Sequence, residues 1–395
     1  MNVAWVQSFL TALKLGLFSF GGPTAHIGYF REEYVNRKKW LDDAGFADLV
    51  ALCQLLPGPA SSQVGIAVGW MRAGWAGSIA AWLGFTLPSA AVMASFAALY
   101  ETMPGVAGAG WIKGLELAAV AIVAAAVLGM ARMLAPDKPR ATIAVAAASA
   151  VLLVPHAAVQ VAAIAAAGAA GLALRRGQPA EAAGNAAGAA KRPGRSRAAV
   201  ALLLVFAALL IGLPAARALG WLPPLLALFE SFYRAGALVF GGGHVVLPLL
   251  EREVVPAGWV APESFAAGYA ATQAMPGPLF TFAAYLGGAS FGWAGAAVAT
   301  LAIFLPGYLL VVGAMPFWQT LRRLPSVAHA VYGINAAVVG ILFAALYDPL
   351  FVGAVAAPVD FVLAAALYLL FAHWKLPPWA LVAVAALAGI AVYGF

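Results

Sequence analysis

The feature that most restricts this fold is an internal repeat. Pro57-Gly58-Pro59, preceded by Gln54, returns roughly 220 residues later as Pro276-Gly277-Pro278, preceded by Gln273. The same offset lays Lys14 on Arg234, Phe20-Gly21-Gly22 on Phe240-Gly241-Gly242, Glu33 on Glu253 and Trp40 on Trp259. Further on, Gly74-Trp75-Ala76-Gly77 meets Gly292-Trp293-Ala294-Gly295, and Leu87-Pro88 meets Leu305-Pro306. Shared Ala/Gly bias does not align Trp, Pro, Gln and basic residues together, so the chain is a duplication.

What is duplicated belongs in a bilayer. Hydrophobic residues make up 64% of the chain and charged ones 9%, with a mean hydropathy of +0.93. A soluble domain carries about 25% charged residues, so this chain cannot cover a core with polar surface, and a soluble enzyme is excluded. At about 20 residues per crossing the apolar runs leave room for on the order of ten spans. The 42 Gly and 25 Pro fall inside these runs, as they do in membrane helices. The fold class is therefore an all-α polytopic integral membrane protein of two homologous repeats. Met1 to Leu13 lacks a basic n-region and a small-residue cleavage site, so the first helix is expected to remain in the protein. Cys53 is the single cysteine and the five His lack metal-ligand spacing, so no disulfide, metal or cofactor is expected.

The repeats are joined by a basic stretch. Arg175, Arg176, Lys191, Arg192, Arg195 and Arg197 stand against Glu181 alone, in Ala/Gly/Pro-rich sequence with little apolar bulk. This reads as a flexible cytoplasmic linker by the positive-inside rule, and without interleaved aromatics it is no nucleic-acid site. The expected organisation is an N-terminal repeat over 1–174, the linker over 175–197, a connecting apolar segment over 198–219 and a C-terminal repeat over 220–395. Within each repeat a first helix (3–20; 222–240) ends at the glycine break, followed by a polar piece and then two short helices around P-G-P. The pieces 46–56 and 60–71 are too short to cross alone, so together they read as a re-entrant, broken-helix hairpin. Two long helices (75–100 and 108–134 in the first half) and a short pair about Pro155 or Pro377-Pro378 complete each repeat. Arg31, Arg37, Lys38 and Lys39 against Arg322, Arg323, His373 and Lys375 favour inverted repeats. The apolar run 198–213, added to the helix ending at Phe240, favours parallel ones.

Phe18 to His26 (F-x-F-G-G-P-x-A-H), Leu56 to Pro59, Phe240 to Pro248 (F-G-G-G-H-V-V-L-P) and Gln273 to Pro278 resemble the signature stretches of the chromate ion transporter family. The likeness covers nearly the whole chain. It implies a bacterial inner-membrane protein that exports chromate, a tetrahedral dianion shaped like sulfate, and confers chromate resistance, with oppositely oriented halves. The expected partners are that dianion, the lipid bilayer and a second copy of the chain in a homodimer. Transport of sulfate or another oxyanion is the alternative. A membrane-embedded enzyme or receptor is the remote one: H-E-x-x-H is absent, and G-x-S-x-G at Gly288 to Gly292 lies among apolar helices, where small residues serve packing.

Broken helices offer a dianion positive potential without a trapping charge, through unpaired N–H groups at helix N-termini. P-G-P suits this: Pro59 and Pro278 fit the first turn of the following helix, and Gly58 and Gly277 allow the bend. Gln54, Pro57, Ser61, Ser62 and Gln63 in one repeat, and Gln273, Pro276 and Thr281 in the other, supply hydrogen-bonding groups beside it. Lys14 and Arg234 are cations inside apolar helices, functional candidates because a basic residue at a helix centre costs about 2.5–3.5 kcal/mol. Arg234 has Glu230 at i−4, whereas Lys14 has only Leu10, Thr11, Leu17 and Phe18 on its own helix face, so Lys14 is expected to face the anion. The breaks Gly21-Gly22-Pro23 and Gly241-Gly242-Gly243 suit an anion nest or close packing. His26 and His244 are candidates for coupling protons or structural hydrogen bonds. Glu33 and Glu253 are further coupling candidates, with an interfacial position expected for both.

Overall fold

The computed structural model describes residues 3–19, 22–102, 110–154, 157–174, 197–239, 246–318 and 324–394. Most of the linker, together with Gly21, Gly241, Gly242, Gly243 and His244, lies outside them. Among the described residues every regular element is a helix.

The first repeat runs α1 (Ala4–Phe18), α2 (Gly22–Arg31), α3 (Asp43–Leu55), α4 (Ala60–Thr102), α5 (Gly110–Leu134), α6 (Lys138–Leu153) and α7 (Ala157–Leu174). After α8 (Arg197–Ala218) the second repeat follows as α9 (Pro224–Leu238), α10 (Val246–Val254), α11 (Pro262–Ala274), α12 (Phe282–Ala314), α13 (Pro325–Ala345), α14 (Pro358–Ala372) and α15 (Pro378–Tyr393). Local chemistry sets the starts. Asp42 Oδ1 accepts from the Gly45 N–H (2.8 Å) to cap α3, and Pro opens α9, α11, α13, α14 and α15, where its missing N–H has no partner to lose.

The long elements α4 and α12 are each two helices joined by a reversal. Ala73-Gly74 and Phe291-Gly292 leave helical geometry, with φ of 56° and 60° at the glycines. Eight residues of straight helix span about 12 Å, yet a Cβ on Gly69 would stand 2.3 Å from the Gly77 carbonyl oxygen, and one on Gly287 2.2 Å from that of Gly295. The short limb therefore folds back on the long one in both repeats, and only glycine permits the contact.

Helix α1 packs along α4 and α9 along α12, while α4 and α12 meet at the centre. The later helices are exchanged: α5 packs against α14 and α15 of the other repeat, and α13 against α6 and α7. Gly114 faces Ala385 and Gly333 faces Ala167 so closely that a Cβ on either would meet a backbone oxygen at about 2 Å (2.0 and 1.8 Å). The repeats are thus interlocked through small residues, the usual means of close approach where lipid removes the hydrophobic drive between helices.

Among the described residues five helices are long and apolar enough to cross a membrane: Ala60–Tyr100, Gly110–Arg132, Arg197–Ala218, Leu279–Phe317 and Pro325–Ala354. Four shorter apolar helices accompany them. Helix α8 carries Leu204 and Ile211 largely exposed on the bundle surface, which in an all-helical chain of this composition is a lipid-facing surface. The chain is a multi-pass membrane protein.

Candidate functional site

The two P-G-P loops cross into each other's repeat. Gly58, at φ 117°, donates its N–H to the carbonyl of Val239 (2.7 Å), the residue that ends α9. Gly277, at φ 95°, donates to the carbonyl of Ser19 (2.9 Å), which ends α1. Ser19 and Val239 occupy equivalent places at the ends of α1 and α9, so one reciprocal bond ties each loop to the end of the other repeat's first helix. Both positive φ values are ones a side chain resists. There is also no room: a Cβ on Gly277 would lie 2.8 Å from Ser89 Oγ, and one on Gly58 3.0 Å from the Gly307 Cα.

Pro59 and Pro278 stand one position earlier than expected, just before the helical turns that follow rather than within them. Their carbonyls accept from the Gln63 N–H (2.9 Å) and the Thr281 N–H (3.0 Å), because ψ at Pro278 is already extended at 132°. Thr281 Oγ1 also donates to the Pro278 carbonyl (2.8 Å), so that hydroxyl proton is spent on the loop. Gln63 is a brace as well: its Nε2 donates to Pro57 O (2.9 Å) and Gly307 O (3.3 Å). The duplicated glutamines differ, Gln54 being exposed and Gln273 buried. Ser290 of the G-x-S-x-G string donates to the Leu286 carbonyl (2.7 Å) inside α12, well away from a nucleophile's geometry.

Around these loops lie buried polar atoms without a hydrogen-bond partner: Ser19 Oγ, His26 Nε2, Ser62 Oγ, Gln63 Oε1, Thr86 Oγ1 and Gln273 Nε2. Each such atom, left unbonded, costs about 1–3 kcal/mol. Ser61 is occupied, its Oγ lying 3.3 Å from His26 Nδ1, and His26 packs edge-on against Phe85. Ser19, Thr86 and Ser89 were not singled out by the repeat, and the reason is plain in the alignment. Their counterparts are Val239, Phe304 and Gly307. A comparison of halves finds what they share, and these hydroxyls occur in one half only.

Lys14 is not isolated. Its Nζ lies 2.7 Å from Glu33 Oε2, and Arg37 reaches the same oxygen at 3.4 Å. A π-helical turn over Glu32–Arg37 continues α2 and carries Glu33 inward, so that carboxylate is buried, not interfacial as its polar neighbours suggest. The pairing was illegible from α1 alone because its partner lies beyond the glycine break. Lys14, Glu33, Arg37 and Lys38, with Leu10 and Thr11, line an open cleft of ≈ 370 Å³. The second repeat reproduces the pair as Arg234–Glu253 (2.8 Å) and adds Glu230, 2.6 Å from Arg234. Glu253 is likewise mostly buried, its side chain 10% exposed. Arg217, contributed by α8, closes this cluster, bonding Glu230 (2.6 Å) and Ser231 and lying 3.5 Å from Glu253.

One family model, described as Chromate transporter, matches residues 6–172 and again 226–390. The chain belongs to the chromate transporter family. The double match coincides with the two structural repeats. The chain is 30% identical over 373 residues to a chromate transport protein of Pseudomonas aeruginosa, covering 88% of this chain and 81% of that one. It is 28% identical over 393 residues to one of Cupriavidus metallidurans, covering 98% and 93%. An uncharacterized transporter of Methanocaldococcus jannaschii is 25% identical over 349 residues, covering 87% and 84%. No solved structure matches.

Proposed function

We propose that this chain exports chromate, or a tetrahedral dianion of the same shape, across a bacterial inner membrane and so confers chromate resistance. Family membership over both repeats is the observation that carries the reading, since relatives matched over most of their length are named for chromate transport. The P-G-P crossing is where the dianion passes. It joins two broken helices, one from each repeat, beside buried hydrogen-bonding groups that protein atoms leave unused.

Direction follows from charge. An inside-negative potential favours outward movement of a dianion by about 4.6 kcal/mol per 100 mV, so export runs on voltage alone and proton exchange is an addition, with His26, Glu33 and Glu253 the described candidates. Uptake of the same anion would need a co-transported cation. The halves are inverted in the membrane, and α3 with the short limb of α4 enters and leaves from one side. Support comes from the 13 residues of α3, too few to cross, and from the reversal at Gly74.

The test is uptake of labelled chromate by inside-out vesicles under an imposed potential, a pH gradient or neither, with and without excess sulfate. Uptake that follows the potential and resists sulfate is the expected result. Absence of uptake sinks the reading, and uptake abolished by sulfate moves the cargo to another oxyanion.

A further inference from the structure

The basic cleft and the buried P-G-P crossing are chemically unlike, and a transported dianion meets them differently. Cations collect in the cleft, where Lys14 and Arg37 keep about half of their side-chain surface in solvent (45% and 60%). At the crossing the unpartnered groups that can donate are all neutral: the hydroxyls of Ser19, Ser62 and Thr86, the Gln273 amide and the His26 ring.

We propose that Ser19, His26, Thr86 and Gln273 form an uncharged cradle that holds a desolvated tetrahedral oxyanion at the Gly277 crossing, while Lys14, Arg37 and Lys38 form a separate loading station. This rests on the reading of the chain as an oxyanion transporter and assigns its binding chemistry. The placement is continuous. The Ser19 carbonyl accepts from the Gly277 N–H, and Ser89, whose Oγ stands against Gly277, donates that Oγ to the Thr86 carbonyl (3.3 Å). Phe85, next to Thr86, takes the His26 ring at 5.4 Å between centroids. Gln273 comes four residues before Gly277 on the chain that forms the loop.

All four side chains are buried to nine-tenths or more (1%, 1%, 1% and 7% exposed), and each has a polar atom without a protein partner. His26 Nδ1 pairs with the Ser61 hydroxyl at 3.3 Å; in the tautomer that accepts this hydroxyl proton, the ring N–H is on Nε2, the nitrogen without a hydrogen-bond partner.

Neutral donors suit transport. A buried cation in low dielectric would hold a dianion too firmly to release it, whereas hydroxyl, amide and imidazole hydrogens replace hydration without a net charge. The cradle is also single. The second repeat places Val239 and Phe304 where the first has Ser19 and Thr86, so its equivalent crossing lacks those two donors.

The experiment is equilibrium binding of labelled chromate, and separately labelled sulfate, to the purified full chain in detergent at low and high ionic strength. Ser19→Ala and Thr86→Val are each expected to weaken binding about 10-fold or more, by the same factor at both ionic strengths. Thr86→Ser keeps the hydroxyl and should bind as the unaltered chain does, which separates a lost donor from a misfolded protein. Arg37→Gln and Lys38→Gln should weaken binding at low ionic strength only, since screening removes an exposed charge's contribution. Full affinity in the double variant Ser19→Ala/Thr86→Val, with the unaltered chain binding normally, overturns the cradle and leaves the transport reading standing. An unaltered chain that binds neither anion overturns both.

Discussion

The two repeats share a backbone plan and use it for different ends. In the first, Glu33 holds Lys14 and Arg37 at the edge of an open cleft. In the second, Glu253 and Glu230 hold Arg234 in a cluster that Arg217 seals from α8. The equivalent tryptophans follow suit: Arg72 of the same repeat lies over Trp40 at 4.5 Å, whereas Arg217 lies over Trp259 at 5.7 Å. At the crossing the first repeat sets Ser61, Ser62, Gln63, Thr86 and Ser89 where the second sets Phe280, Thr281, Phe282, Phe304 and Gly307. Duplication supplied a frame, and divergence made one half polar and accessible and the other packed and locked.

That contrast breaks most readily at the loops. Gly277→Ala forces a Cβ to 2.8 Å from Ser89 Oγ at an unfavourable φ, and Gly58→Ala one to 3.0 Å from the Gly307 Cα. Each change costs about 1–3 kcal/mol of strain locally, and vesicle transport should fall to background in both. Wild-type rates in either variant would mean that the crossing need not hold its shape.

The carboxylates separate the repeats more sharply. Glu253→Gln leaves Arg217 and Arg234 sharing Glu230 in a mostly buried cluster, and thermal unfolding in detergent should show a loss of about 3–5 kcal/mol. Glu33→Gln frees two cations that already touch solvent, so its stability loss should be under about 1 kcal/mol while its transport changes. Equal stability losses would erase the distinction between an open and a locked repeat.

Lys14→Ala should lower transport about 10-fold at low ionic strength and much less at high, as expected of an attracting charge near the mouth of a pathway. A loss independent of salt would place Lys14 in the buried site instead. The smallest effect belongs to Asp137, which caps α6 by accepting from the Arg140 N–H (2.9 Å) and accepts from Tyr332 Oη of the other repeat (3.2 Å). The Arg140 N–H, with its guanidinium, holds this carboxyl below its usual range, so its stabilising contribution is full near neutral pH and declines as acid protonates it. Asp137→Ala should cost about 1 kcal/mol in thermal unfolding at pH 7, with transport unchanged.

Much of the frame was legible because Gly and Pro act locally. The ends of α1 and α9, the short helices about P-G-P and the pair about Pro377-Pro378 all follow from residues that set φ or remove a donor. What depends on a distant partner was hidden. Lys14 and Glu33 belong to different helical segments, so their pairing depends on how those segments pack, and nothing in the spacing of Gly114 shows that Ala385 is its neighbour. The unshared hydroxyls of Ser19 and Thr86 were hidden for the opposite reason, since the repeat draws attention away from whatever is not repeated.

The exchange of terminal helices between repeats bears on how the molecule is made. Helix α5 leaves the ribosome long before α15, the helix that covers it, and at about 5–20 residues per second the interval is on the order of tens of seconds. Throughout it the α5 surface around Gly114 waits in the bilayer without its neighbour. The first repeat is therefore an assembly intermediate by construction, and a helix of the second repeat, synthesised later, completes the surface that α5 lays down.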